Sequence, residues 1–125
     1  MSYDIEMRVN TGGGATHALL GFEHNCTYNL APMFEKAFAT AGSEGWFDKA
    51  FGGAPGTGLR LLEGKTGAEA LPLLEIAIKS MEAFPEEYKA LNPSNGWGTY
   101  EGALETIQEL LSWAVEAPLA RFRVA

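Results

Sequence analysis

Apolar and polar residues alternate without a fault over residues 3–9. Tyr3, Ile5, Met7 and Val9 fall on one side, and Asp4, Glu6 and Arg8 on the other. A period of two is that of a strand with one buried face. Asn10 and the run Gly12, Gly13, Gly14 then break it as a turn. Residues 16–27 read as a second strand of looser alternation, in which Gly21 marks either a bulge or a close backbone approach. A third strand is written at 121–124, where Phe122 and Val124 face one way and Arg121 and Arg123 the other. The polar side of the first strand is acidic at Asp4 and Glu6, and that of the last is basic. Opposite charges across a strand pair contribute about 0.2–1 kcal/mol each. The two ends of the chain are therefore expected side by side in one sheet.

Between the strands the period lengthens to that of helices. Ala31-Pro32-Met33-Phe34 opens with a proline tolerated in a first turn, and Asn29 stands where a cap belongs. Thr66 and Glu69 have capping-box spacing. Leu71, Leu74, Ile78 and Met81 then recur at helical intervals, with Glu75 and Lys79 an i,i+4 pair. Pro72 implies that this helix is kinked or begins at Leu71. A last helix over 99–116 places Leu104, Ile107, Leu111 and Ala114 inward and stops before Pro118. The segments 42–58 and 84–98 look irregular. The expected fold is α+β: an antiparallel sheet of about three strands, its first and last strands adjacent, packed against three to four helices.

Composition narrows the setting. At 125 residues, 46% apolar and 20% charged, the chain has the size and usage of one globular domain, residues 1–125. Its single cysteine, Cys26, rules out an internal disulfide. The start lacks a secretory signal, and no apolar run reaches the roughly 20 residues needed to span a bilayer, so residence in the cytoplasm is expected. The net charge of −7, from 16 acidic against 9 basic residues, argues against direct binding of nucleic acid or an anionic membrane.

Candidate chemistry is sparse. Gly64-Lys65-Thr66 ends like a phosphate loop, but the pattern needs a glycine at 59, where leucine stands. His17, His24 and Cys26 lack a fourth ligand for a structural metal. A Cys26–His24 nucleophile pair lacks a demanded third group, although Asn25 or Asn29 could orient it. No catalytic set, metal site or cofactor is expected. Two polar clusters each precede a helix: Asn25, Tyr28 and Asn29, and then Asn95, Trp97 and Tyr100. If they converge, they form a polar pocket with aromatic walls for a nucleotide-like or anionic metabolite. As plain structure, Asn29 and Thr99 cap helices. Two further groups suit a protein partner: the aromatic Trp46, Phe47 and Phe51, and the stripe Glu101, Glu105, Glu109, which no lysine or arginine between Lys89 and Arg121 compensates. Either a monomer or a homodimer fits.

The runs Tyr28-Asn29-Leu30-Ala31-Pro32-Met33, Gly64-Lys65-Thr66-Gly67-Ala68-Glu69-Ala70 and Leu91-Asn92-Pro93-Ser94-Asn95-Gly96-Trp97-Gly98 carry a resemblance. The chain resembles small uncharacterised proteins encoded by actinobacteria and their tailed bacteriophages, over most of its length, with 42–58 longer here. The resemblance implies context alone, a cytoplasmic accessory protein that is phage-encoded and acts in the host cell. The leading expectation is a non-enzymatic accessory or interaction protein that modulates a host system. A small-ligand binder using the 25–29 and 95–100 loops comes second, and an enzyme third.

Overall fold

The computed structural model describes residues 2–10, 16–42 and 58–125. Strand β1 (Ser2–Asn10) lies in the middle of a three-stranded antiparallel sheet, between β2 (Thr16–Thr27) and β3 (Arg121–Val124). Its alternation does what the pattern predicts: Tyr3, Ile5 and Met7 are buried under the helices, and Asp4 is exposed. The first and last strands are neighbours, with Ile5 opposite Val124, Glu6 opposite Arg123, Met7 opposite Phe122 and Arg8 opposite Arg121.

That register rearranges the charges expected to join them. Glu6 lies 3.6 Å from Arg123, but its shorter contact is 2.8 Å to Arg8 of its own strand. Asp4 meets the backbone of Ala125 and no arginine, because the ladder runs one pair past Val124. Arg121 faces Arg8 and turns away, donating to the Gly64 carbonyl at 2.6 Å and lying 3.7 Å from Glu69. Burial of Phe122 and Val124 against the core, more than charge pairing, holds β3 in place.

β2 is irregular for one reason. Between the pairs Glu6–Glu23 and Arg8–Ala18, β1 advances two residues while β2 advances five. The extra residues form a bulge that leaves Leu20 96% exposed. Gly21 sits within it at φ +88°, with nothing near its missing Cβ. Backbone conformation, not crowding, therefore calls for glycine.

The outer edge of β3 is covered by the segment at 63–67. Gly64 donates to the Phe122 carbonyl, Phe122 to the Lys65 carbonyl and Gly67 to the Ala120 carbonyl, each at 2.9 Å. The Val124 N–H donates to the Glu63 carboxylate at 2.6 Å. Gly64-Lys65-Thr66 is thus a sheet-edge cover that leads into a helix cap, and no phosphate loop.

The helices pack on one side of the sheet. A 3-10 turn (Tyr28–Leu30) leads into α1 (Ala31–Gly42), which buries Met33, Phe34, Ala37 and Phe38. The cap here is Thr27, whose hydroxyl accepts from the Asn29 N–H at 3.2 Å, so Asn29 is not the capping residue. A second 3-10 segment (Gly58–Leu62) buries three leucines. Helix α2 (Gly67–Ala83) begins before Leu71: the Thr66–Glu69 capping box starts it, and it runs through the exposed Pro72. Its buried stripe is Ala70, Leu73, Leu74, Ala77 and Met81, with Leu71 and Ile78 at the flank. The short α3 (Pro85–Lys89) buries Tyr88. Helix α4 (Tyr100–Glu116) carries its Thr99 cap and buries Ala103, Ile107, Leu110, Trp113 and Ala114, while Leu104 and Leu111 stay half-exposed. α2 and α4 approach so closely that a Cβ on Gly67 would lie 2.6 Å from the Ala117 carbonyl. No described helix is long and apolar enough to cross a membrane.

Candidate functional site

Local turn chemistry builds the two polar clusters, and one tight contact joins them. β2 ends in Asn25, Cys26 and Thr27, and the 3-10 turn then presents Tyr28 and Asn29. In the other cluster asparagines fasten the chain: Asn92 Oδ1 accepts from the Tyr100 N–H and Asn95 Oδ1 from the Trp97 N–H, both at 2.9 Å. Gly98, at φ +111°, presses against the first cluster. A Cβ there would come within 2.8 Å of Leu30 Cδ2 and 3.1 Å of Thr27 Cγ2.

The result is an open hollow of about 850 Å³. Ser2, Asn25, Cys26 and Thr27 form its strand side, Tyr28 and Asn29 its floor turn, and Asn95 and Trp97 the opposite wall. Asn25 Nδ2 bridges to Ser2 Oγ at 2.9 Å and Asp4 Oδ1 at 2.6 Å, which fixes that side chain and leaves its oxygen free. Tyr28 packs edge-on to Tyr3 at 4.5 Å, and its hydroxyl accepts from Arg60 at 2.8 Å. The Arg60 guanidinium lies over both rings, 5.5 Å and 5.7 Å from their centroids. Asn29 is exposed, and Trp97 is 70% exposed, an unusual state for so large an apolar ring.

Tyr100 stands apart from the other five candidates. It is buried, donates through its hydroxyl to the Met81 carbonyl at 2.7 Å and packs 6.3 Å from the Tyr88 ring. It ties α4 to α2 and does not line the hollow.

Cys26 is buried, and burial pushes its thiol up to about 12, so it stays protonated and poorly nucleophilic at neutral pH. Among the described residues no three His, Cys, Asp or Glu side chains gather as a metal site. His17 is exposed beyond the bulge, opposite Val9, whereas His24 faces the helices.

His24 makes a contact that sequence reasoning misses. Its Nδ1 lies 2.8 Å from Glu109 Oε2 and its Nε2 3.1 Å from Thr106 Oγ1. An ionised carboxylate only accepts, so Nδ1 is the donor. Glu109 of the acidic stripe on α4 is thus hydrogen-bonded by a histidine from β2, while Glu101 and Glu105 stay exposed. Hydroxyl, imidazole and carboxylate stand in the order of an acyl-transfer triad. Yet Thr106 is only 4% exposed and its hydroxyl donates to the Gly102 carbonyl at 3.0 Å, so this chain ties strand to helix. The one available signal was the phase of β2, which sets Phe22, His24 and Cys26 on the same side. Trp46, Phe47 and Phe51 lie outside the described residues.

No family model, curated protein or solved structure matches the chain.

Proposed function

We propose that this chain is a binding protein, without catalytic chemistry of its own, that holds a small polar ligand in the hollow between residues 25–29 and 95–97. One observation carries the reading: five of the six residues marked for ligand contact line the same hollow, with Trp97 exposed on its wall. An aromatic face beside a few fixed polar groups is the usual make-up of a small-molecule site. A thermal-shift screen of polar metabolites tests it. A ligand at about 100 times its Kd adds about 2.7 kcal/mol of stability. The shift should vanish in Asn29→Ala and Trp97→Ala, both exposed positions. A screen without a hit, or a hit indifferent to both substitutions, would sink the reading.

The accessory role implied by the phage and actinobacterial resemblance is a second reading, supported by the exposed pair Glu101 and Glu105 on α4. That face suits a basic protein partner in the host. Glu105→Lys should abolish co-purification of such a partner, and unchanged recovery would remove this reading.

A further inference from the structure

Resting on the small-ligand reading above, we infer that the hollow takes a neutral saccharide unit, stacked by its C–H face on Trp97 and hydrogen-bonded by the asparagine corner. The first ground is charge. Among the described residues that line the hollow there is no lysine, arginine, histidine, aspartate or glutamate. Arg60 donates to the Tyr28 hydroxyl at 2.8 Å but does not itself line the hollow. Asp4 stands next to the wall through its bond to Asn25, and the chain as a whole carries −7. A phosphate or carboxylate would therefore meet no counter-charge among the described lining residues, and the net charge of the chain disfavours it.

The second ground is the balance of unused donors and acceptors. The Asn29 side-chain amide makes no hydrogen bond among the described residues. Among the described residues, Asn95 has its oxygen occupied by the Trp97 N–H and its Nδ2 without a partner, whereas Asn25 has its Nδ2 occupied and its oxygen without one. The hydroxyls of Ser2, Thr27 and Tyr28 all accept bonds, from Asn25, Asn29 and Arg60, so each retains a proton to donate. Both free donors and free acceptors therefore line the one hollow. Sugar hydroxyls, each a donor and an acceptor, complement that set.

The third ground is shape. A nucleobase is held best between two aromatic faces, and the described residues of this hollow offer one. The Tyr28 ring is half-buried in a T-shaped contact with Tyr3, which leaves the indole of Trp97 as the open aromatic platform among the described lining residues. A pyranose needs only one such face, because its polar groups point outward around the rim.

The test is an NMR titration of the 15N-labelled full chain with methyl glucoside, methyl galactoside and methyl mannoside, with adenosine and inorganic phosphate as separate arms. A saturable shift of both the Trp97 indole N–H and the Asn29 side-chain amide by at least one glycoside is the expected result. Trp97→Ala, with an unchanged melting temperature, should weaken that binding by about tenfold or more. If adenosine or phosphate moves these signals while every glycoside is silent, the sugar inference is overturned and the site stands. If no probe moves them, the sugar inference also falls, and the thermal-shift screen still decides the site by itself.

Discussion

Phe122→Ala separates two explanations for why the chain's ends are joined. Phe122 is 2% exposed, pairs with Met7 across the sheet and belongs to the continuous core. Removing a buried phenylalanine side chain costs about 3–5 kcal/mol, from lost transfer energy and the cavity left behind. Arg123 stands one residue away on the solvent side, more than half exposed, with a 3.6 Å contact to Glu6 that Arg8 makes more closely. Arg123→Ala should cost below about 1 kcal/mol. Urea unfolding followed by circular dichroism reads both, given equal m-values. Deleting 121–125 removes Phe122 and Val124 together with the ladder to Asp4 and the bonds to 63–67. Adding about 1.5–3 kcal/mol for Val124 brings the apolar loss alone to about 5–8 kcal/mol. That is comparable to the whole stability of a domain this size, so the truncated chain should be unfolded at 25 °C. Arg123→Ala costing as much as Phe122→Ala, or a folded truncation, would refute the argument.

Other outcomes follow from single features. Thr66→Ala should cost about 0.5–2 kcal/mol by urea titration at pH 7. Bonds from the Thr66 backbone N–H, and then from its hydroxyl, hold the Glu69 carboxyl below its ordinary value. The capping box therefore stabilises above the unfolded carboxylate pKa and loses that contribution as pH falls through the lower folded value; Thr66→Ala should flatten this acid limb, and an unchanged limb would count against it. Gly98→Ala should cost about 1–3 kcal/mol through its positive φ and its press against Leu30, and should also abolish ligand-induced shifts. Gly21→Ala has open space and should lose only about 1 kcal/mol, so an equal cost at both sites would contradict the assigned close approach. Cys26 should resist thiol reagents at pH 8 in the native protein and react at once in urea; fast native labelling would show that its burial is wrong.

The sheet was legible because Tyr3, Ile5 and Met7 of β1 and Phe122 and Val124 of β3 are all buried, and a period of two needs few residues to declare itself. The helix stripes were legible in type but not in phase. Leu71 and Ile78 look like the inward positions, yet Ala70, Leu73 and Ala77 take them; the two alanines are small residues that an apolar periodicity undercounts, and the close approach at Gly67 shows how near α2 lies to the end of α4. The cap of the first helix went to Thr27 and not Asn29, since a 3-10 turn shifts the start. The bulge was readable from Gly21, though not its size. The polar character of the hollow is written in its asparagines. That the two clusters meet depends on Gly98 against Leu30, a contact between distant segments that leaves no local trace. The same holds for His24 with Glu109, where strand phase and an acid stripe had to be read together.

The cover that 63–67 places on β3 has a consequence for how the chain comes together. β3 emerges from the ribosome after every other described element, yet its place is inside, between β1 and that covering segment. While synthesis proceeds, β1 has one bare side, and the segment at 63–67 has nothing to clasp. Helices and the β1–β2 pairing can form during this interval, but the third strand of the sheet must wait for residues 121–124 to arrive. Assembly of the native domain is thereby tied to completion of its last strand, and a ribosome stalled shortly before Phe122 would present an open sheet edge to the cell's chaperones and proteases.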